Sequence, residues 1–218
     1  AVVTAIDAAG GFVRGVRTNR GDIAADAVVV AAGVYSGRLI ALLGLELPLH
    51  VGHVAAVQTV PLPPLIRQVL GVASADLALR QEVNGRVRLT GGGTPWPHDL
   101  DDLAGGDDLV QPSIAEVATA LARAVEVLPD LAGAAVGKVW GGLLDMTPDA
   151  LPVIERAPEV EGLVIAAGFS GHGFCLGPVT GEIVRDLVCH GATPYPIAPF
   201  RLDRFTSTAE RMAATLHG

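Results

Sequence analysis

GLVIAAGFSGHGFCLGPVTGEIVRDLV, residues 162–188, decides the fold. An apolar run of strand length ends at Gly168, and helical spacing resumes at Leu176, Thr180, Ile183 and Leu187. Between them lie Gly168, Gly171, Gly173 and Gly177. Glycine lets a backbone take positive φ and lets another group come close. The first turn of a helix has unpaired N–H groups and a partial positive charge. The stretch therefore predicts a seat for something electron-rich and bulky, a phosphate or a polarised carbonyl on a ring. A glycine-rich turn with no ligand is the alternative these residues leave open. His172 reads either as a structural hydrogen-bonder or as a catalytic group, and Cys175 as a small buried filler. Gly177 and Gly181, on one side of the helix, are expected to give it a bare face for close packing.

AVVVAAG (27–33) looks like a twin of that strand, since both end in Ala-Ala-Gly. A continuous apolar run is typical of a strand buried on both faces of a parallel sheet. Two such strands ending side by side bring their loops to the carboxyl edge of the sheet, where α/β proteins bind ligands. Ser36 is expected to cap the helix RLIALL, which Gly44 ends. Upstream, VVTAI, FVRGVRT and IAAD read as a short meander, turning around Gly10-Gly11 and at NRGD.

The middle of the chain has a different character. VGHVAAVQTV reads as a strand, and LALRQEVNGRVRLTGG as a hairpin turning at Asn84-Gly85. Residues 94–112 read as a polar loop. Its acidic run (Asp99, Asp101, Asp102, Asp107, Asp108) reads as a solvated surface rather than a metal site. SIAEVATALARAVEVL is a helix with a Ser113–Glu116 capping box and one stripe of Val117, Leu121, Ala124 and Leu128. AAVGKVWGGLL (134–144) is strand-like, and DMTPDALPVIE reads as a turn-rich connector, with Asp145 and Asp149 as turn and cap residues.

Half of the 218 residues are hydrophobic, enough to bury a core in one or two domains. A net charge of −8 argues against a nucleic-acid surface. The two cysteines, without CxxC or metal-ligand spacing, point to a reducing, cytoplasmic compartment and no metal. No apolar run approaches the roughly 20 residues of a membrane span, so membrane association is expected only through partner subunits.

Taken together, these segments resemble the D-amino-acid oxidase/sarcosine oxidase superfamily of FAD-dependent oxidoreductases. VVVAAGVYS is similar to its second flavin motif and GLVIAAGFSGHGFCLGPVTGEIV to its C-terminal one. WGGLLDMTPDALPVI (140–154) resembles the family's W-x-G…T-P-D-x-x-P-x-I segment; LRQEVNGRVRLTGG and FRLDRF also fit. The resemblance implies an α/β plus α+β chain with a discontinuous, Rossmann-like FAD domain (1–47 and 139–205) and an antiparallel-sheet substrate domain (48–138). Residues 206–218 are left as a tail. The family's N-terminal GxGxxG is absent. With a start at Ala1 directly in strand-like sequence, the expectation is the C-terminal part of a longer enzyme, or a chain completed by a partner subunit. Such a chain on its own is expected to bind FAD weakly or not at all.

The resemblance further implies non-covalent FAD, because the covalent flavin cysteine of monomeric sarcosine oxidases would fall near Gly142. Cofactor contacts are expected from Ala32, Gly33, Ser36, Gly168, Phe169, Ser170, Gly171, His172, Gly173, Phe174, Cys175 and Leu176. His172 is also the candidate for a catalytic or potential-tuning role. Leu144 stands where amino-acid oxidases of the family often place a carboxylate-clamping Arg, and GHGF lacks the Arg insertion of glycine-oxidase-like members. The sequence thus looks closer to β subunits of dehydrogenases acting on opines, hydroxyproline, sarcosine or glycine, of the hydrogen-cyanide-synthase type. Of Arg80, Lys138 and His53, Arg80 is the preferred carboxylate clamp, with a surface strand arginine as the alternative reading. His53, Arg80, Trp140 and Leu144 make the expected substrate face. The implied reaction moves a hydride from the carbon beside an amine to flavin N5, giving an imine. A non-catalytic scaffold subunit or inactive piece, and a flavoprotein acting on a hydroxyl, are the alternatives.

Overall fold

The computed structural model describes residues 1–106 and 108–205. In chain order, β1 (Val3–Ala9), β2 (Phe12–Thr18), β3 (Ile23–Ala24) and β4 (Val28–Val30) lead to α1 (Ser36–Ala41). Then follow β5 (His50–Thr59), β6 (Leu70–Gly71), β7 (Leu77–Gln81), β8 (Val87–Gly91) and β9 (Thr94–Pro95). α2 (Ile114–Val127), β10 (Val136–Met146), β11 (Val153–Arg156), β12 (Leu163–Ala167) and α3 (Gly173–His190) complete the order. Among the described residues the chain divides into one unit of residues 1–50 and 145–205 and another of residues 51–144. Among the described residues no helix is long and apolar enough to cross a membrane.

In the first unit β1, β2 and β3 form an antiparallel meander, and β11, β12 and β4 a second sheet with β12 in the middle. All five residues of β12 are buried. Leu163, Ile165 and Ala167 enter a core with Ile6, Val30, Ile40 and Val153. Val164 points to the opposite side and packs with Ile154, Ile183 and Leu187, the latter two from α3. That alternation is how an unbroken apolar run serves a strand covered on both faces.

β4 differs from the expectation. α3 packs on β11 and β12, and Val29 stays 41% exposed. The twin strand is thus buried on one face only, because the helix that covers β12 does not reach it. Ser36 is not a helix cap either. The residue before α1 is Tyr35, with no side-chain cap; Ser36 is buried, and its hydroxyl accepts the Ala32 N–H at 3.0 Å. Gly177 and Gly181 face open space, with nothing within 4 Å of where a Cβ would stand. The helix packs through Ile183 and Leu187 instead. The connector after β10 contains a real strand, β11, paired along its length with β12.

In the second unit the sheet order is β10-β5-β8-β7-β6, with β9 also on β5. Leu77, Leu79, Val87, Leu89 and Val57 face α2, which buries Ala120 and Ala124 against them. The Ser113 hydroxyl accepts the Glu116 N–H at 3.2 Å, and the Glu116 carboxylate accepts the Ser113 N–H at 2.8 Å. The hairpin closes over Glu82–Arg86: Glu82 N–H donates to the Arg86 carbonyl and Gly85 N–H to that of Glu82. The described residues of 94–112 are more ordered than a plain loop. Thr94 and Pro95 pair with β5. The acidic run forms 3-10 turns, in which the Asp99 carboxylate accepts the Asp101 N–H at 2.9 Å and Asp102 accepts that of Asp99. Asp107 and the tail 206–218 lie outside the described residues.

Candidate functional site

β12 and β4 run parallel, with Leu163 beside Val28, Val164 beside Val29 and Ile165 beside Val30. The pairing stops at Val30 and Ile165, and Ala32 (φ −94°, ψ +17°) already turns into the 3-10 segment Gly33–Tyr35. The two Ala-Ala-Gly segments therefore follow the carboxyl ends of neighbouring parallel strands, with both glycines left-handed (φ +55° and +74°). A Cβ on Gly168 would also lie 2.4 Å from Thr147 Cγ2, so both conformation and space demand glycine there.

Beyond the end of β12 the chain makes a tight turn into α3. Ser170 (φ +50°) and Gly171 (φ +87°) continue the left-handed conformation. His172 N–H donates to the Phe169 carbonyl at 2.9 Å, and Leu176 N–H to that of His172 at 3.2 Å. His172 is the residue before the helix and its side chain makes no capping bond; no acidic residue stands in the first turn. The N–H groups of Gly173, Phe174 and Cys175 thus emerge at a helix start with no capping side chain and no acidic residue in its first turn. His172, Phe174 and Cys175 are exposed there, Phe174 completely. Cys175 is therefore not the buried filler its sequence suggests: its residue position is the outward side of that first turn, and its thiol donates to the His172 carbonyl at 3.1 Å.

The turn is braced from beneath by the end of β10. One oxygen of the Asp145 carboxylate accepts the Gly168 N–H at 2.7 Å, and the Asp145 carbonyl accepts the Ser170 N–H at 3.1 Å. The buried Ser170 hydroxyl accepts the Thr147 N–H at 3.2 Å and stands 3.3 Å from the Thr147 hydroxyl. Asp149 does something else. It accepts the Leu151 N–H and pairs with Arg204 at 2.7 Å, fastening FRLDRF to the TPD turn. Next to it, Glu155 accepts the Leu202 N–H at 2.8 Å. Burial raises the Glu155 carboxyl above its ordinary range, against the lowering effect of that N–H.

The expected cofactor residues accordingly divide. Gly171, His172, Gly173, Phe174, Cys175 and Leu176 lie along the turn and the start of α3, and Ala32 and Gly33 in the separate turn after β4. Ser36 and Ser170 are fully buried and hold backbone; Phe169 packs beneath with Ile183 and Leu187; the Gly168 N–H is spent on Asp145. Asp145, a turn residue by its sequence context, instead lies in the last residues of β10 and supports the loop.

In the second unit the expected substrate residues do not stay together. Gly142 stands against Val54, so Trp140, Gly142 and Leu144 alternate onto one face of β10. Lys138 lies over the Trp140 ring at 5.2 Å. Arg80 alternates away from the buried Leu77 and Leu79, opposite Arg88, which in turn is beside Gln58. Glu82 lies 4.0 Å from Arg80 and closer to Arg88, and the Arg88 hydrogen bond holds its carboxyl below the ordinary range. His53 leaves the set. It is 5% exposed, Nδ1 lies 3.1 Å from a Glu116 carboxylate oxygen, and Nε2 lies 2.8 Å from the Val110 carbonyl. Alternation along β5 turns it to the α2 side, where it ties the 94–112 segment to the sheet. Gly141 leaves room for this, since a Cβ there would lie 2.7 Å from His53 Nε2. The Ser113 N–H and hydroxyl, with His53 adding to them, hold the Glu116 carboxyl below its ordinary range.

The family described as "DAO: FAD dependent oxidoreductase" matches residues 1–187. A glycine oxidase of Geobacillus kaustophilus is 33% identical over 187 residues, covering 86% of this chain and 47% of the relative. The sarcosine oxidase subunit beta of Rhizobium meliloti is 31% identical, covering 93% of this chain and 46% of the relative. Among solved structures, an L-proline dehydrogenase from P. horikoshii superposes with a TM-score of 0.83 at 27% identity, covering 94% of this chain and 54% of that one. The chain thus spans about half the length of the relatives it matches.

Proposed function

We propose a function from one premise: the chain belongs to the DAO family of FAD-dependent oxidoreductases. It supplies the flavin-facing C-terminal half of an enzyme that oxidises an amino acid or secondary amine. The ADP-binding GxGxxG half of the FAD site then comes from a segment of the relatives that this sequence does not span, or from a partner chain. A partner subunit fits the relative that is itself named a subunit.

The observation that carries the reading is the uncapped, acid-free start of α3 beyond the carboxyl ends of the parallel pair β12 and β4. That start fits an electron-rich ring edge. FAD held there would supply the hydride acceptor for oxidation of the carbon beside the substrate amine, giving an imine that water would hydrolyse. The chain's own residues orient and polarise. The N–H groups of Gly173 to Cys175 and the α3 dipole favour negative charge at the ring edge. His172, exposed at the helix start, offers one further hydrogen bond to the cofactor. Gly33 and Ala32 let the ribityl or pyrophosphate side approach the backbone, while Ser36 keeps that loop in place from below. Trp140 and Leu144 form an apolar stretch of the substrate sheet, and Arg80 is its candidate for the substrate carboxylate.

The test is anaerobic bleaching of the flavin absorbance in this chain joined to a relative's N-terminal half. Glycine, sarcosine and proline should bleach it, and 2-hydroxy acids should not. Bleaching by hydroxy acids alone would replace the amine reading. Arg80→Ala should raise KM for carboxylate substrates at least about tenfold, the loss of one charge-assisted contact. An unchanged KM would remove Arg80 from the site.

A further inference from the structure

Resting on that flavin reading, we propose that Asp145 is a positioning residue of the flavin loop, acting through the hydrogen bond its carboxylate accepts from Gly168. One residue holds the loop at two points two residues apart. Its carboxylate takes the Gly168 N–H at 2.7 Å and its carbonyl the Ser170 N–H at 3.1 Å. The segment so held is one that a free chain would abandon. Gly168, Ser170 and Gly171 all have positive φ, and Ser170 is not a glycine. Ser170 is fully buried, its hydroxyl taking the Thr147 N–H at 3.2 Å and donating to the Gly168 carbonyl at 3.3 Å.

The bracing matters because glycine permits many conformations where only one is useful. The direction in which α3 starts, and hence where the N–H groups of Gly173 to Cys175 point, is fixed by the path from Gly168 to His172. No side chain caps the helix to fix it from the other end. An acceptor under Gly168 therefore sets the orientation of the N–H array without touching the cofactor. The two acids of DMTPD have separate tasks: Asp149 fastens the tail through Arg204, and Asp145 fastens the loop.

The test uses this chain co-expressed with the N-terminal half of a relative. FAD affinity and the midpoint potential of the bound flavin are measured for wild type, Asp145→Ala, Asp145→Asn and Ser170→Gly. Asp145→Ala should weaken FAD about tenfold, the loss of the hydrogen bond that holds the Gly168 N–H, and move the midpoint potential. Asp145→Asn offers a carboxamide oxygen to the same N–H and should restore both. Ser170→Gly keeps the left-handed backbone, removes the hydroxyl, and should show the same two changes in smaller measure. Wild-type affinity and potential in Asp145→Ala would overturn the proposal. So would an Asp145→Asn variant as weak as Asp145→Ala, since charge rather than the hydrogen bond would then be responsible. If Asp145→Ala does not fold, an unchanged affinity and potential in Ser170→Gly overturns it. A folded wild-type pair without flavin defeats the flavin reading itself, before any substitution is made.

Discussion

Gly168→Ala tests the turn after β12 in a way that depends on no ligand. Gly168 has φ +74°, and an alanine forced into the left-handed region costs roughly 1–2 kcal/mol. The added Cβ would also meet Thr147 Cγ2 at 2.4 Å and Leu49 Cδ2 at 3.2 Å. Neither neighbour is the far end of a long side chain, and Thr147 is itself fully buried. Overpacking of that kind adds roughly 1–3 kcal/mol. The two effects together give about 2–5 kcal/mol, a large share of the roughly 5–15 kcal/mol that holds a typical domain. Gly33→Ala is the control. It has the same sign of φ (+55°) but nothing within 4 Å of its Cβ, so only the roughly 1–2 kcal/mol of conformational cost applies. Gly181→Ala is the opposite control. It lies inside α3 in open space, and alanine there should stabilise by about 0.5–1 kcal/mol. Urea unfolding followed by circular dichroism measures all three as midpoint shifts at constant slope. Equal costs for Gly168→Ala and Gly33→Ala would refute the close approach of Thr147 to the loop.

Three further substitutions probe the units separately. His53→Ala takes the imidazole from the Val110 carbonyl and leaves Glu116 Oε1 with the Thr94 hydroxyl alone, and should cost roughly 1–3 kcal/mol, with faster amide exchange across 94–112; protection equal to wild type would contradict the fastening role. Ser113→Ala removes the α2 cap and should cost about 1 kcal/mol in urea unfolding. The Glu155 carboxyl titrates higher folded than unfolded, so its contribution is fully present below the ordinary carboxylate range and is lost as pH rises through the raised value. Glu155→Gln keeps an acceptor for the Leu202 N–H and should raise Tm at pH 8 but not at pH 4; equal effects at both would contradict the burial cause.

The twin Ala-Ala-Gly strands were legible in the sequence because each is an unbroken apolar run with a glycine stop, and a parallel pair needs little else. The α2 capping box and the hairpin at Asn84-Gly85 were legible for the same kind of reason, since local residues fix them. What was not legible depends on distant partners. Whether Val29 is covered rests on how far α3 extends over the sheet. Ser36 looks like a cap by type, but tertiary packing turns its hydroxyl back to Ala32. His53 looks free on a strand until α2 brings Glu116 across from 63 residues away. Asp145 was read as a turn residue because nothing local shows that Gly168 lies above it.

Flavin retention bears most directly on the central claim. This chain, purified together with the N-terminal half of a relative, should carry non-covalent FAD at one per pair, visible in its absorbance and released intact on denaturation. The chain purified alone should retain little or none. A folded pair that elutes without flavin would contradict the account.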